Sequence, residues 1–399
     1  MHPTSALDMT SPGARTRYWH INIALFLAGF ATFSLLYCVQ PLLPLFADTF
    51  SVSPAGSSLA LSLSTGCLAF SILVSGALAE GRDQRRFMFI SMLLAAVSNL
   101  IASVVPSWHA FLFARAMVGL ALGGVPALAM AYLAEHMAGA GMSLAVGLYV
   151  GGTAFGGMAG RVGTSLLVDV LPWQGALALL SAIDIAAALG FMALLPRQPG
   201  RSVPIHLRLA PHLKAWSGHL QHTALPWLFA TGGLVMGVFV TVFNYVSFHL
   251  LQAPFKLSPT HIGLIFCVYV FGIVASPMAG AMADRQGRPA VLMAGVLMMI
   301  SAVLLTLSDH LALVVLGIVL LTIGFFVSHA VASGWVGRLA ATHKGHAASL
   351  YLLAYYLGSS VLGSCGGWFW SHGGWPGVAG MTLVLLLVQL GVCVRLRRI

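Results

Sequence analysis

The chain alternates long apolar runs with short polar breaks, and that alternation leaves few folds open. A helix needs about 20 apolar residues to cross the hydrocarbon core of a bilayer. Twelve runs approach or exceed that length. The first six are approximately 21–47, 55–79, 87–105, 109–134, 142–166 and 175–195. The second six are approximately 224–250, 259–283, 289–308, 311–337, 347–370 and 376–394. Lipid offers no water to satisfy an open backbone, so each run is expected to be a helix. None shows the period-two alternation of a barrel strand. The expectation is an all-α membrane protein with twelve transmembrane helices.

Charge supports this. Only 7% of the 399 residues are charged and 59% are hydrophobic, against about 25% charged in a soluble domain. Most of the surface must therefore face lipid. Of the 19 Lys and Arg residues, all but Lys256, Arg115 and Arg161 fall on one side of the expected spans. The positive-inside rule makes that side cytoplasmic, together with both termini. The same asymmetry accounts for the net charge of +10 at an anionic inner leaflet, with no role for nucleic acid. Arg15 and Arg17 precede the first run, which is far longer than a signal h-region of roughly 7–15 residues. It is read as a span. The five cysteines, Cys38, Cys67, Cys267, Cys365 and Cys393, have no metal-like spacing and read as small core residues.

The chain also repeats itself. The island Gly280-Ala281-Met282-Ala283-Asp284-Arg285-Gln286-Gly287-Arg288 has an imperfect echo in Gly76-Ala77-Leu78-Ala79-Glu80-Gly81-Arg82-Asp83-Gln84-Arg85-Arg86. Each copy follows the second span of its half. In the fifth and eleventh spans, Ser143, Tyr149, Gly152, Gly157 and Gly160 align with Ser349, Tyr355, Gly358, Gly363 and Gly366. The expected units are a six-helix bundle over 1–196, a cytoplasmic loop over 197–223 and a second bundle over 224–399. Six crossings per half is an even number. The halves therefore insert in the same orientation, related by an axis along the membrane normal, with the pathway between them. The loop carries His206, His212, His219 and His222. With no carboxylate or cysteine beside them, a solvated linker is favoured over a metal site.

These motifs resemble the major facilitator superfamily over essentially the whole length. The second island is similar to that superfamily's loop 2–3 signature almost letter for letter. The first copy departs from it, with Glu80 for the usual Asp, Asp83 for Gly and Gln84 for Arg. Arg115-x-x-x-Gly119-x-x-x-Gly123 resembles the motif of proton-linked members. The glycine-rich stretch from Gly147 to Gly160 resembles the exporter motif without its proline. Four further stretches resemble the YnfM-like group of bacterial drug exporters. They are Tyr37-x-x-Gln40-Pro41-Leu42-Leu43-Pro44, Phe243-Asn244-Tyr245, Gly324-Phe325-Phe326-x-x-His329 and Tyr355-Tyr356-Leu357-Gly358-Ser359-Ser360. The resemblance implies the two-bundle facilitator fold and, as substrates, amphiphilic small molecules that are commonly exported.

Candidate site residues follow. In the islands, Gly76, Glu80, Arg85, Gly280, Asp284, Arg285, Gly287 and Arg288 are expected to gate. A carboxylate among guanidinium groups and helix N-termini can latch one half to the other; a plain topology signal with a glycine turn is the alternative. Pro41 and Pro44 remove backbone donors and free carbonyls near the outer end of the first span. Gln40 there lies about 10 Å deep, and Arg115 in the fourth span about 9 Å, at about 1.5 Å per residue. Arg115 is expected to find partners at Gln40 and the freed carbonyls, unless it snorkels outward. Arg161 is left to snorkelling or to pairing with Asp169. Tyr37, Gln40, Asn244, Tyr245, His249, Tyr269, His329 and Tyr355 are the substrate-binding candidates, with core packing as the alternative. Asp184, Arg115 and His329 are the proton-coupling candidates. Asp184 reads either as structural or as part of a proton route. His329 titrates near neutral pH when unperturbed.

No Gly-x-x-x-x-Gly-Lys-Ser/Thr, His-Glu-x-x-His or Gly-x-Ser-x-Gly run occurs, so neither an ATP-driven pump nor a membrane enzyme is indicated. The expected function is a secondary transporter of the bacterial inner membrane. It would be a monomer without cofactor or metal, exporting small amphiphilic compounds against protons by alternating access. Import of a small metabolite by symport or facilitated diffusion is the alternative.

Overall fold

Two prolines decide how the first span ends. Pro41 and Pro44 cannot donate to the carbonyls of Tyr37 and Gln40, so α1 (Pro12–Tyr37) stops at Tyr37. The chain then passes through a 3-10 turn at Gln40–Leu42 into the short α2 (Leu43–Thr49). The first span was expected as one helix over 21–47; the break corrects that. The computed structural model describes residues 12–78, 83–136, 141–197 and 209–399.

The first bundle continues with α3 (Pro54–Leu78), α4 (Gln84–Ala102), α5 (Trp108–Leu122), α6 (Gly124–His136), α7 (Gly141–Leu167) and α8 (Trp173–Leu194). α5 and α6 form one span broken at Gly123. The Ser71 hydroxyl donates to the Leu120 carbonyl at 2.5 Å, which occupies the acceptor a continuous helix would offer to Gly124. α9 (Leu209–Leu220) lies between the bundles. The second bundle comprises α10 (Leu225–Leu251), α11 (Pro259–Ile265), α12 (Tyr269–Gln286), α13 (Arg288–Leu305), α14 (Leu311–Leu339) and α15 (Lys344–Arg397). α15 holds the last two spans across a bend at Gly374, where φ is 55° and ψ −148°. Only glycine adopts that backbone at low cost. The fold is all-α, two bundles of six spans. Ten helical segments among the described residues are long and apolar enough to cross a membrane. α15 counts once among them, and the glycine-rich α7 supplies the remaining crossing.

Helices in lipid gain little from burying apolar surface against one another, so they associate where small residues let backbones approach. Gly152, Gly156 and Gly160 of α7 meet the backbone of Phe26, Phe30 and Ser34 of α1. A Cβ added at Gly156 would lie 2.1 Å from the Phe30 carbonyl oxygen. The second bundle repeats the device with α10 and the first part of α15, where a Cβ at Gly358 would lie 2.0 Å from the Gly233 carbonyl oxygen.

The two bundles meet mainly on the face opposite the basic one. Ser360 Oγ of α15 donates to the Ser62 carbonyl of α3 at 2.7 Å, Ser364 Oγ lies 2.8 Å from Ser62 Oγ, and Ser58 Oγ 3.3 Å from Ser364 Oγ. Gly367 sits on the backbone of Ala55, and Gly263 of α11 on Ser165 of α7, where a Cβ would lie 2.2 Å from the serine Cβ. Thr260 donates to the Asp169 carboxylate beside them. An aromatic cluster of Phe46, Phe50, Trp108, Phe111 and Trp173 caps the first bundle at the same end.

The linker helix α9 was not expected. His212 contacts His346 at 2.9 Å, the Trp216 indole donates to Ser349 Oγ at 3.4 Å, and a His219 ring nitrogen lies 3.3 Å from the His343 carbonyl oxygen. These histidines dock α9 on the start of α15. Among the described residues no group of three or more metal ligands gathers; His206 lies outside them.

The small-residue seam between the bundles predicts the effect of widening it. Gly263→Leu should wedge α11 from α7 and favour the state in which this face is open. A cysteine at buried Ser62, in a cysteine-depleted background, should then react several-fold faster with a membrane-impermeant maleimide added to that face. An unchanged rate would show that the seam does not close the path.

Candidate substrate cavity and its buried arginines

A cavity of about 730 Å³ lies between the bundles. Its walls come from α1, α6 and α7 on one side and α10, α12, α14 and α15 on the other. Met130, Val146, Val336 and Ala348 bring it to within two turns of the basic-face helix ends, while Tyr37, Arg161 and Tyr269 form its closed end. The lining is mostly aromatic and aliphatic. Arg161 is the only Arg, Lys, Asp or Glu among the described lining residues.

Arg161 is 1% exposed. Its Nε donates to Gln40 Oε1 at 2.5 Å and its Nη1 to the Gly157 carbonyl at 2.7 Å. The guanidinium carbon stands 4.1 Å from the Tyr37 ring centroid and 4.8 Å from that of Tyr269. Two ring faces on a desolvated guanidinium offset part of the cost of burying it. Gln40 is held at both ends of its amide, because its Nε2 donates to Asn244 Oδ1 at 2.7 Å. Asn244 Nδ2 in turn reaches the Gly363 carbonyl at 3.4 Å. The chain Arg161–Gln40–Asn244 thus crosses from one bundle to the other directly behind the closed end. Tyr245 hydroxyl donates to the same Gly363 carbonyl at 3.1 Å.

Arg115 is also fully buried and lies within the first bundle. Nη1 donates to the Leu35 carbonyl at 2.9 Å and to Asn99 Oδ1 at 2.7 Å, Nη2 to the Leu36 carbonyl at 2.8 Å, and Nε to the Ala60 carbonyl at 3.1 Å. Leu35 and Leu36 lie in the last turn of α1, where carbonyls lack helical partners. Gln40 is not a partner of Arg115; it is taken by Arg161. Arg161 itself does not snorkel and does not pair with Asp169, which binds Thr260 across the seam instead. Asp184 is buried and accepts from Ser34 Oγ at 3.1 Å through Oδ2; its Oδ1 has no partner among the described residues. No carboxylate pairs with either buried arginine among the described residues.

The remaining candidates divide by position. Tyr37, Tyr269, His329 and Tyr355 line the cavity. His329 Nδ1 lies 2.9 Å from the Tyr351 hydroxyl, and its ring packs on Phe325 and Tyr355. Gln40, Asn244 and Tyr245 sit behind the wall. His249 does not reach the cavity: its ring stacks on Trp375 at 4.8 Å near the opposite face. Equal depth along a helix did not mean the same helix face. Sequence reasoning missed Arg161, Tyr149, Tyr351 and Phe326 as lining residues. Tyr351 and Tyr355, one turn apart, form one ridge that the spacing could have shown.

At the basic face, Asp284 pairs with Arg338 of α14 at 2.9 Å, where both side chains are exposed, and with the half-buried Arg288 at 3.2 Å, both within its own bundle. Exposed pairs of this kind are each worth about 0–1 kcal/mol. Gly287 has φ 88°, which turns α12 into α13. Gly280 and Arg285 lie in the last turns of α12. Asp83 caps α4 by accepting from the Arg86 amide at 3.2 Å, and Arg85 donates to the Met192 carbonyl of α8. Gly76 is in α3; Glu80 lies outside the described residues.

Two bundles of six spans around a central, mostly apolar cavity define a membrane transporter of the facilitator type. The family model of the Major Facilitator Superfamily matches residues 25–253 and 246–398. The chain belongs to that superfamily. It is 43% identical over 371 residues to the MFS-type transporter YybF of Bacillus subtilis, covering 93% of this chain and 91% of that one. It is 40% identical over 382 residues to the inner membrane transport protein YnfM of Escherichia coli, covering 96% and 91%. Among solved structures it resembles the nucleoside transporter NupG, with a TM-score of 0.76 at 15% identity over 93% of this chain and 99% of that one. The peptide transporter POT gives 0.74 at 14% identity, over 96% and 95%. The chain is thus a multi-pass transport protein of the inner membrane and not an enzyme.

The saturated hydrogen bonding of Arg115 predicts that a point charge will not replace it. Arg115→Lys should leave buried carbonyls unpaired and cost about 2–4 kcal/mol, read as a clearly lowered thermal midpoint of the purified protein. A midpoint equal to that of the unmodified protein would contradict the structural role.

Proposed function

We propose that the protein is a secondary active exporter of small amphiphilic organic compounds, driven by protons and working by alternating access. The observation that carries this reading is the cavity between the bundles, closed by the serine and glycine seam at one end and reaching the basic face at the other. By the positive-inside rule the basic face, with both termini and both islands, is cytoplasmic, so the cavity faces inward. Residues 1–196 and 224–399 rock against each other, and 197–223 tethers them.

In this reading Tyr37, Tyr269, His329 and Tyr355 contact substrate. Gln40 and Asn244 latch the outer side, with Tyr245 bracing the Gly363 end of the latch. The islands latch the inner side in the alternate state. Asp284 then exchanges an intrabundle partner for one across the interface, with Arg285, Arg288 and the Gly280 and Gly287 turn shaping its approach. Glu80 does the same for the first bundle, with Gly76 and Arg85. His329, in the cavity wall, is the proton carrier. Asp184, on Ser34, and Arg115, on Leu35 and Leu36, are the further proton-coupling candidates.

A second reading, import by symport or facilitated diffusion, is favoured by one observation: among the described lining residues none is a carboxylate, so a cationic drug meets no counter-charge from them. Purified protein in proteoliposomes separates the two. With an imposed pH gradient and a panel of dyes and metabolites, export predicts uphill flux toward the acidic side that a protonophore abolishes. His329→Gln should keep substrate binding but lose the dependence on the gradient, and Asp284→Asn should slow flux. Flux that runs only down its own gradient, identical with and without the protonophore, would contradict proton-driven export.

A further inference from the structure

We propose that the cavity takes monoanionic amphiphiles, organic carboxylates or sulfonates with an apolar body, and that Arg161 is the group that recognises the anion. This rests on the transport reading above and names the substrate class of the same site. The two buried arginines of this chain provide an internal comparison. Arg115 places all three guanidinium nitrogens on acceptors and does not line the cavity. Arg161 places only Nε and Nη1, on Gln40 and Gly157. Among the described residues its Nη2 has no acceptor, and Arg161 lines the cavity.

A buried cation held only by neutral acceptors and ring faces is incompletely compensated. A ligand carboxylate can supply what is missing. It would accept from Nη2 and share Nη1 in the forked geometry that suits guanidinium. The walls fit the rest of such a ligand. Phe33, Tyr149, Phe325 and Phe326 present apolar surface, and about 730 Å³ falls in the range of sites that enclose a drug-sized molecule. Among the described lining residues none is acidic and able to receive an ammonium group, so a cation would be repelled by Arg161 at short range. The protein would in this way discriminate by charge sign first and by shape second.

The test uses the full-length purified protein and three probes of one shape: 2-naphthoate, its neutral analogue 2-naphthamide, and the cation 2-naphthylmethylammonium. Isothermal titration should give 2-naphthoate a Kd at least tenfold below that of the amide, with the cation weaker still. Arg161→Gln should abolish the acid-over-amide ratio, whatever it does to the affinity of both, and Arg161→Lys should retain part of that ratio. If the Gln variant fails to fold, the ranking of the three probes on the unmodified protein decides. Equal affinities, a preference for the cation, or no binding by any of the three would overturn the proposal. Flux of cationic or neutral compounds in proteoliposomes without anion preference would overturn this proposal alone. Anion binding with no flux of any compound would overturn the transport reading and leave the anion site standing.

Discussion

A helix cannot run through Pro41 and Pro44, and the placement of both buried arginines depends on that. Stopping α1 at Tyr37 leaves carbonyls of its last turn without amide partners, and Arg115 takes those of Leu35 and Leu36. The turn that follows points Gln40 inward, between Arg161 of its own bundle and Asn244 of the other. One break in one helix thereby supplies the anchor of the first bundle and the bridge between the bundles. Both arginines sit where lipid or packed side chains would otherwise surround them, a costly position that each must meet with partners. Arg115 meets it fully. Arg161 meets it in part and faces the cavity.

The seam around that bridge is built to be reversible. Serine hydroxyls, glycines and one Thr–Asp contact hold α3 to α15 and α7 to α11. Hydrogen bonds between membrane helices average about 0.6 kcal/mol, so a handful amounts to a few kcal/mol. Moving a two-state equilibrium from 1:99 to 99:1 takes about 5.5 kcal/mol. Differential ligand binding can supply a bias of that size, whereas it could not pull apart an interlocked apolar interface. Contacts within a bundle, such as α1 on α7, stack several backbone-to-backbone glycine approaches along one helix pair, at Gly152, Gly156 and Gly160. Within each bundle the packing is close; between bundles it is small and polar.

Much of this was legible in the sequence. The length of the apolar runs gave the spans; the two prolines pointed to freed carbonyls near the outer end of the first one, though not to its break after Tyr37. The lopsided distribution of Lys and Arg distinguished the faces. Gly287 and Gly374 stand where positive φ is needed. What was not legible is which side of a helix meets the other bundle. Asp169, two turns beyond Arg161, suggested a local ion pair, but it lies in the turn after α7 and binds Thr260 across the seam, while Arg161 turns to Gln40 and Gly157. His249 shares the depth of the central polar groups yet stacks on Trp375. Gln40 was matched to the wrong arginine because depth alone could not separate α5 from α7. The docking of α9 depends on a contact between His212 and His346, remote in the chain and without periodic signature.

The central claim is that the Gln40–Asn244 bridge holds the bundles closed on the face opposite the basic one. Double electron–electron resonance distances test it most directly. One spin-label pair sits at Val170 and Leu251 on that face, and another at Arg86 and Met282 on the basic face, each measured with Gln40 intact and as Gln40→Ala. Loss of the bridge should lengthen the Val170–Leu251 distance and shorten the Arg86–Met282 distance. Distributions that do not move, or that move in the same direction on both faces, would contradict the account.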